Sequence, residues 1–303
     1  MNPAASWNLV QDLRLMLSYP FMVNAVRAGT IVAVVAGAVG WVMVLRRESF
    51  AGHTLAVVGF PGAAAATWLG IAVGYGYFGI CITAALVIAA LPRSVRSRSG
   101  GEQSAVIGTV QAFALAAGML FVSLYKGFLS GLTNLLFGTI AGVTDEQVTL
   151  LLVAAVPCLT LLAMLGRPLL WASIDSETAA AQGIPVRIVG ACFLVLLGVA
   201  AAGTSQVTGS LLVFTLLVAP AAAAHQLATR PGRGIVVSIA IALAVTWAGM
   251  GCAFFSSYPI GFWVSTFAFS CYLLSLGWRR WRDRGRARAS FRRADRSPVE
   301  VTA

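Results

Sequence analysis

The sequence is short of charge. Of its 303 residues 10% are charged and 59% hydrophobic, and mean hydropathy is +0.86. A soluble domain carries about a quarter charged residues, which excludes a water-soluble globular fold and leaves an all-α polytopic membrane protein. Lysine occurs once, at Lys126, preceded by Tyr125. A phosphate-binding loop needs Gly-Lys followed by Ser or Thr, so any nucleotide must be handled by another subunit, and the chain is expected to be a non-catalytic subunit. The ten acidic residues, Asp12, Glu48, Glu102, Asp145, Glu146, Asp175, Glu177, Asp283, Asp295 and Glu300, all lie outside the apolar runs. Proton-driven carriers generally need an ionisable group at membrane depth, which counts against that class. The five cysteines stand singly in apolar runs without metal-ligand spacing, and read as core residues. Residues 1–20 lack the pattern of a signal peptide and are expected to lead into the first span.

What is present is a series of apolar runs of membrane-crossing length. They fall at about 22–45, 56–74, 77–92, 105–125, 148–171, 186–204, 208–228, 235–256 and 259–278. The expectation is nine transmembrane helices, eight to ten being allowed because the second and third runs are short and close. Residues 1–278 then form a permease-like transmembrane domain and residues 279–303 a basic, disordered, cytoplasmic tail able to hold anionic lipid. Placing Arg46 and Arg47 inside puts the amino terminus outside and the carboxyl terminus inside. Eighteen of the 21 basic residues are then cytoplasmic, leaving Arg14, Arg27 and Lys126 on the outer side. The net charge of +11 is therefore explained by topology rather than by nucleic acid.

Two stretches stand out. In Leu45–Ala66 a polar turn carries His53 and is followed by Gly59-Phe-Pro61-Gly62. This predicts a broken helix after the first span. Such a break is either a packing kink or, where a cavity covers the freed backbone, part of a translocation path with Gly59 and Gly62 as the moving points. In Ser173–Pro185, Ser173 or Asp175 can cap a short helix, Glu177 favours its positive end, and Gly183 with Pro185 can close it. Ala179–Ala181 would leave a slim exposed surface. Elsewhere Thr144-Asp-Glu-Gln147 has the form of a capping box. Gly70…Gly74 and Gly138…Gly142 have small-xxx-small spacing, Leu132–Ile140 is too short to span, and His225 is placed as a polar contact at the cytoplasmic edge.

Five ordered stretches carry a resemblance. They are Leu17-Ser-Tyr-Pro-Phe-Met22; Leu45-Arg-Arg47 with Ser49-Phe-Ala-Gly52 and Pro61-Gly62; Leu135-Leu-Phe-Gly138; Asp175-Ser-Glu177 through Gly183-Ile-Pro-Val186; and Gly209-Ser-Leu-Leu-Val213 through Ala219-Pro-Ala221. In this order they resemble the membrane permease of ATP-binding-cassette importers for manganese, zinc or iron. The resemblance implies a homodimeric permease in the plasma membrane that binds no cofactor of its own. It also implies an ATPase gripping Asp175, Glu177, Ala179 and Gly183, and an extracellular solute-binding protein. His53, Val57, Gly59, Pro61 and Gly62 would then line the substrate path or gate. The family pattern after Ser-Phe-x-Gly is Asp, three residues, then His. This chain has His53 at the first position and Val57 at the second. One metal ligand type is changed and one is lost. The expected cargo is a divalent metal with His53 as its candidate ligand, or, in the same architecture, a metal chelate, haem or another solute. A secondary carrier or channel is the third reading.

Overall fold

Where no water reaches the backbone, peptide groups must pair within their own segment, and each apolar run accordingly forms a helix. The computed structural model describes residues 9–90, 101–124, 142–210 and 213–294, and among these every regular element is helical. In chain order they are α1 (Leu9–Leu17), α2 (Pro20–Leu45), α3 (Ser49–Leu69), α4 (Val73–Ala90), α5 (Gly101–Leu124), α6 (Asp145–Ile174), α7 (Ser176–Ala181), α8 (Val186–Thr208), α9 (Val213–Leu227), α10 (Pro231–Phe255) and α11 (Ile260–Ala294).

α2 is the axis of the bundle. Beyond its first turns, where Arg27 is exposed, it is apolar all round, and it packs against α6, α8, α9 and α10. The neighbours approach closely because small residues face them. A Cβ at Gly40 would strike the Leu217 carbonyl of α9, and the Ser238 hydroxyl of α10 donates to the Gly37 carbonyl at 2.7 Å. Such contacts, rather than hydrophobic exclusion, hold helices together in lipid. α3 and α4 form a hairpin beside this core, closed by Gly70 in the left-handed conformation, with α5 laid along α3.

Each of the nine apolar runs coincides with a helix, but among the described residues seven are long and apolar enough to cross a membrane rather than nine. α9 has 15 residues, and α3 is diluted by His53, Pro61 and its glycines. The expected break after the first span is absent too. α3 runs unbroken from Ser49 to Leu69 with Pro61 inside it. Proline removes one donor, and packing on both sides of Pro61 keeps the helix whole. A Cβ at Gly62 would collide with the Gly76 carbonyl of α4, and one at Gly76 with the Gly62 carbonyl; on the other flank Gly118 of α5 seats against Phe60 and Pro61. These glycines exist for close approach, not for bending.

Three smaller expectations change. Gly70 ends α3 and Gly74 belongs to α4, so their spacing spans a turn rather than one helix face. The basic tail is helical as far as Ala294, continuing α11; arginine is a good helix former, and Arg279 pairs with Asp283 one turn on at 3.7 Å. Leu132–Ile140 lies outside the described residues. The capping box is as read: the Thr144 hydroxyl accepts from the Gln147 amide and the Gln147 side chain accepts from the Thr144 amide.

Candidate functional site

α3 enters the bundle directly after the α2–α3 turn and carries the first set of candidate residues. His53 is half-buried one turn into the helix, its ring edge-on to Phe214 of α9 at 5.0 Å between centroids. Its Nδ1 is buried without a hydrogen-bond partner. Val57 is one turn further and buried. At about 100° per residue, His53, Val57 and Pro61 share one stripe, while Gly59 and Gly62 lie on other sides. A Cβ at Gly59 would approach Tyr77 to 3.0 Å and the Ser205 hydroxyl to 3.2 Å. The five residues read together from sequence are thus divided among His53 against α9, Pro61 beside α5, Gly59 packed on α4 and α8, Gly62 on α4, and a buried Val57.

A polar pair beside this stripe was not legible from motifs. Thr54, fully buried, donates to the Gln111 side-chain oxygen of α5 at 3.1 Å. Polar side chains within apolar runs are costly unless paired, and that cost was the available signal. Among the described residues no group of three or more His, Cys, Asp or Glu comes together. At this stripe the described residues offer an ion one imidazole, fewer ligands than zinc usually takes. His225 makes the polar contact expected of it, stacked on Trp41 of α2 at 4.8 Å, with Nε2 3.1 Å from the Trp41 carbonyl.

The second set of residues forms α7. Asp175 is extended and caps it, one carboxylate oxygen accepting from the Glu177 and Thr178 amides at 3.0 Å and the other from the Thr178 hydroxyl. The hydrogen bonds from Thr178 hold the Asp175 carboxyl below the usual carboxylate range. Gly183, at φ +81°, closes the turn, and Ile184 donates back to the Ala179 carbonyl. Glu177 is exposed in the first turn. Ala179, however, is wholly buried; it anchors α7 to the bundle, and Ala180 and Ala181 alone remain of the expected small-residue surface. Beside α7 lies a hollow of about 210 Å³ lined by Leu170, Trp171, Ile174, Asp175 and Thr178. Trp171 is 54% and Ile174 77% exposed there, an apolar rim next to a capped polar helix.

The two sets meet at one end of the bundle. Arg46, in the α2–α3 turn, makes a salt bridge to Glu48 at 2.8 Å and donates to the Ser173 hydroxyl in the last turn of α6 at 3.4 Å. In the sequence Arg46 marks the membrane side and belongs to the stretch Leu45-Arg-Arg47, but nothing local names Ser173 as its partner.

Residues 18–279 match the model of the ABC 3 transport family. The chain is 30% identical over 207 residues, 68% of its length and 72% of the relative's, to the manganese import system permease protein ScaB of Streptococcus parasanguinis. It is 29% identical over 224 residues, 74% of each chain, to the chelated iron transport system membrane protein YfeC of Yersinia pestis. Among solved structures it resembles PsaBC from Streptococcus pneumoniae in complex with Fab, with a TM-score of 0.78, 25% identity, and coverage of 88% of this chain and 95% of that one.

Proposed function

The chain belongs to the ABC 3 transport family, and from that premise we propose that it is the permease subunit of an ATP-driven importer whose cargo is a divalent metal ion such as manganese, iron or zinc. It sits in the plasma membrane with its amino terminus outside and its carboxyl terminus cytoplasmic. The seven long helices are joined in crossing the bilayer by the shorter α9 and the more polar α3. The carrying observation is α7: an exposed, side-chain-capped helix beside an apolar hollow, at the end of the bundle where α3 begins. An apolar rim of this kind suits a partner surface, and the partner is the ATPase. A solute-binding protein delivers cargo at the opposite face, and the arginines of α11 hold anionic lipid.

The cargo site is completed by dimerisation. A homodimer with its α3 helices facing across the two-fold axis brings two half-buried His53 imidazoles to one ion. Imidazole favours borderline metals over calcium and magnesium, which prefer oxygen. The lone imidazole and the apolar Val57 also favour a second reading, in which the same machine moves a metal chelate, haem or another solute. Co-purification with the ATPase, followed by uptake of free manganese, zinc, iron or a chelate into proteoliposomes, tests both. Accumulation of free ion that is lost together with metal binding in His53→Ala supports the first reading. Uptake of the chelate alone supports the second. An ATPase that neither co-purifies nor drives uptake of any of these cargoes would sink both.

A further inference from the structure

Arg46 is a buried cation shared by three elements. Its side chain is 11% exposed and that of Glu48 15%. Nε and Nη2 both donate to the same oxygen of Glu48, at 3.2 and 2.8 Å, and Nη1 donates to Ser173 at 3.4 Å. The guanidinium carbon also lies 5.3 Å from the ring centroid of Phe193 of α8, a residue with no exposure. The second Glu48 oxygen is buried without a partner. An arginine–carboxylate pair is strongest when both oxygens are used by two parallel bonds, and a buried, half-satisfied carboxylate is unfavourable. The pair is therefore held off its best geometry while Arg46 reaches for Ser173.

Ser173 lies two residues before Asp175, the cap of α7, and Glu48 immediately precedes α3. Resting on the reading of α7 as the ATPase-docking helix, we propose that Arg46 is a positioning residue that couples α7 to α3 by alternating between two seats. In the seat seen here it bridges Ser173 and one Glu48 oxygen. When α7 is displaced the long Ser173 bond breaks first, and the fork turns to take both Glu48 oxygens, resetting the start of α3 one turn from His53. Two discrete arrangements of one charged side chain supply the bistable element that coupling between distant sites requires. Lysine cannot substitute, because a single ammonium lacks the fixed fork.

The test uses the permease–ATPase complex in proteoliposomes and reads ions transported per ATP hydrolysed, with co-purification as a separate readout. Ser173→Ala removes one link without touching the α7 cap. It is expected to lower ions per ATP about tenfold, the scale of one hydrogen bond to a charged group, while the ATPase still co-purifies and hydrolyses ATP. Arg46→Lys is expected to behave alike, and Ser173→Thr, which keeps the hydroxyl, to restore coupling. Normal stoichiometry in Ser173→Ala overturns the proposal. So does a Thr variant as uncoupled as the Ala variant, or loss of co-purification, which would make Ser173 part of the docking surface. A wild-type complex that neither assembles nor transports brings down the parent reading instead, and does so before any variant is made.

Discussion

α3 and α7 are held in place by opposite means. α3 is fixed by shape: backbone meets backbone at Gly62 and Gly76, with side-chain hydrogen bonding confined to a few groups such as Thr54. α7, six residues long, is fixed by direction: an aspartate cap at one end, a left-handed glycine at the other, and one buried methyl at Ala179 between them. The first kind of contact has no slack, because packed atoms cannot yield without moving a whole helix. The second kind survives displacement, because a capped turn carries its own hydrogen bonds wherever it goes. On the proposed reading of α7 as the ATPase-docking helix, α3 is the rigid body to be moved and α7 the self-contained handle.

The contrast breaks most severely at Gly62. Gly62→Leu places a side chain into the backbone of α4. Overpacking typically costs about 1–3 kcal/mol, occasionally more, and here neither backbone can step aside, so the expected outcome is loss of folded, monodisperse protein on detergent extraction. Gly79→Leu, on the exposed side of α4 with nothing within 4 Å, should extract normally; equal yields would mean that α3 and α4 do not meet as described. Thr54→Val should act through the same rigid body but more mildly. It leaves the Gln111 oxygen without its donor, a loss of about 1–3 kcal/mol, visible as a lowered Tm of the purified protein.

Changes in α7 should spare the fold and strike the handle. Asp175→Ala is expected to reduce the amount of ATPase that co-purifies while Tm is unchanged; Asp175→Asn, which still caps, should retain most of it. The sign of the pH effect follows from the depressed carboxyl. The cap contributes fully above the unfolded carboxyl value of about 3.9 and is lost only as pH falls through the lower folded value, so co-purification attributable to the cap should be flat from pH 8 to 5. Glu177→Arg should have the smallest effect. A positive charge at the positive end of the helix dipole is unfavourable by about 0.3–1 kcal/mol, or roughly two- to fivefold in the concentration of ATPase needed for half-maximal assembly.

The same division explains what could be read in advance. The caps at Thr144 and Asp175 and the closing glycine at Gly183 were legible because each is settled within four or five residues of chain. The apolar runs located the helices for the same reason. Gly59-Phe-Pro61-Gly62 misled because a glycine reads identically whether it bends a helix or admits a neighbour, and Gly76, which decides the matter, lies 14 residues away. Ala179 faced the bundle rather than a partner for a similar reason: on so short a helix, no periodicity tells inside from outside. Arg46 was visible as a charge, but only Glu48 of its contacts is local, while Ser173 of α6 lies 127 positions on and Phe193 of α8 further still.

The reciprocal seat of Gly62 on Gly76 also has a kinematic consequence. Two helices whose backbones interlock cannot slide along each other, since the side chains one turn on, Ala66 and Ile80, already stand against the opposite glycines and would force the pair apart. α3 and α4 must therefore travel as one lever. Its fulcrum belongs at the three-residue link 46–48, where Arg47 stands at φ +58°, and its far end is the Gly70 turn, which on the proposed topology sweeps the widest arc on the side away from the ATPase.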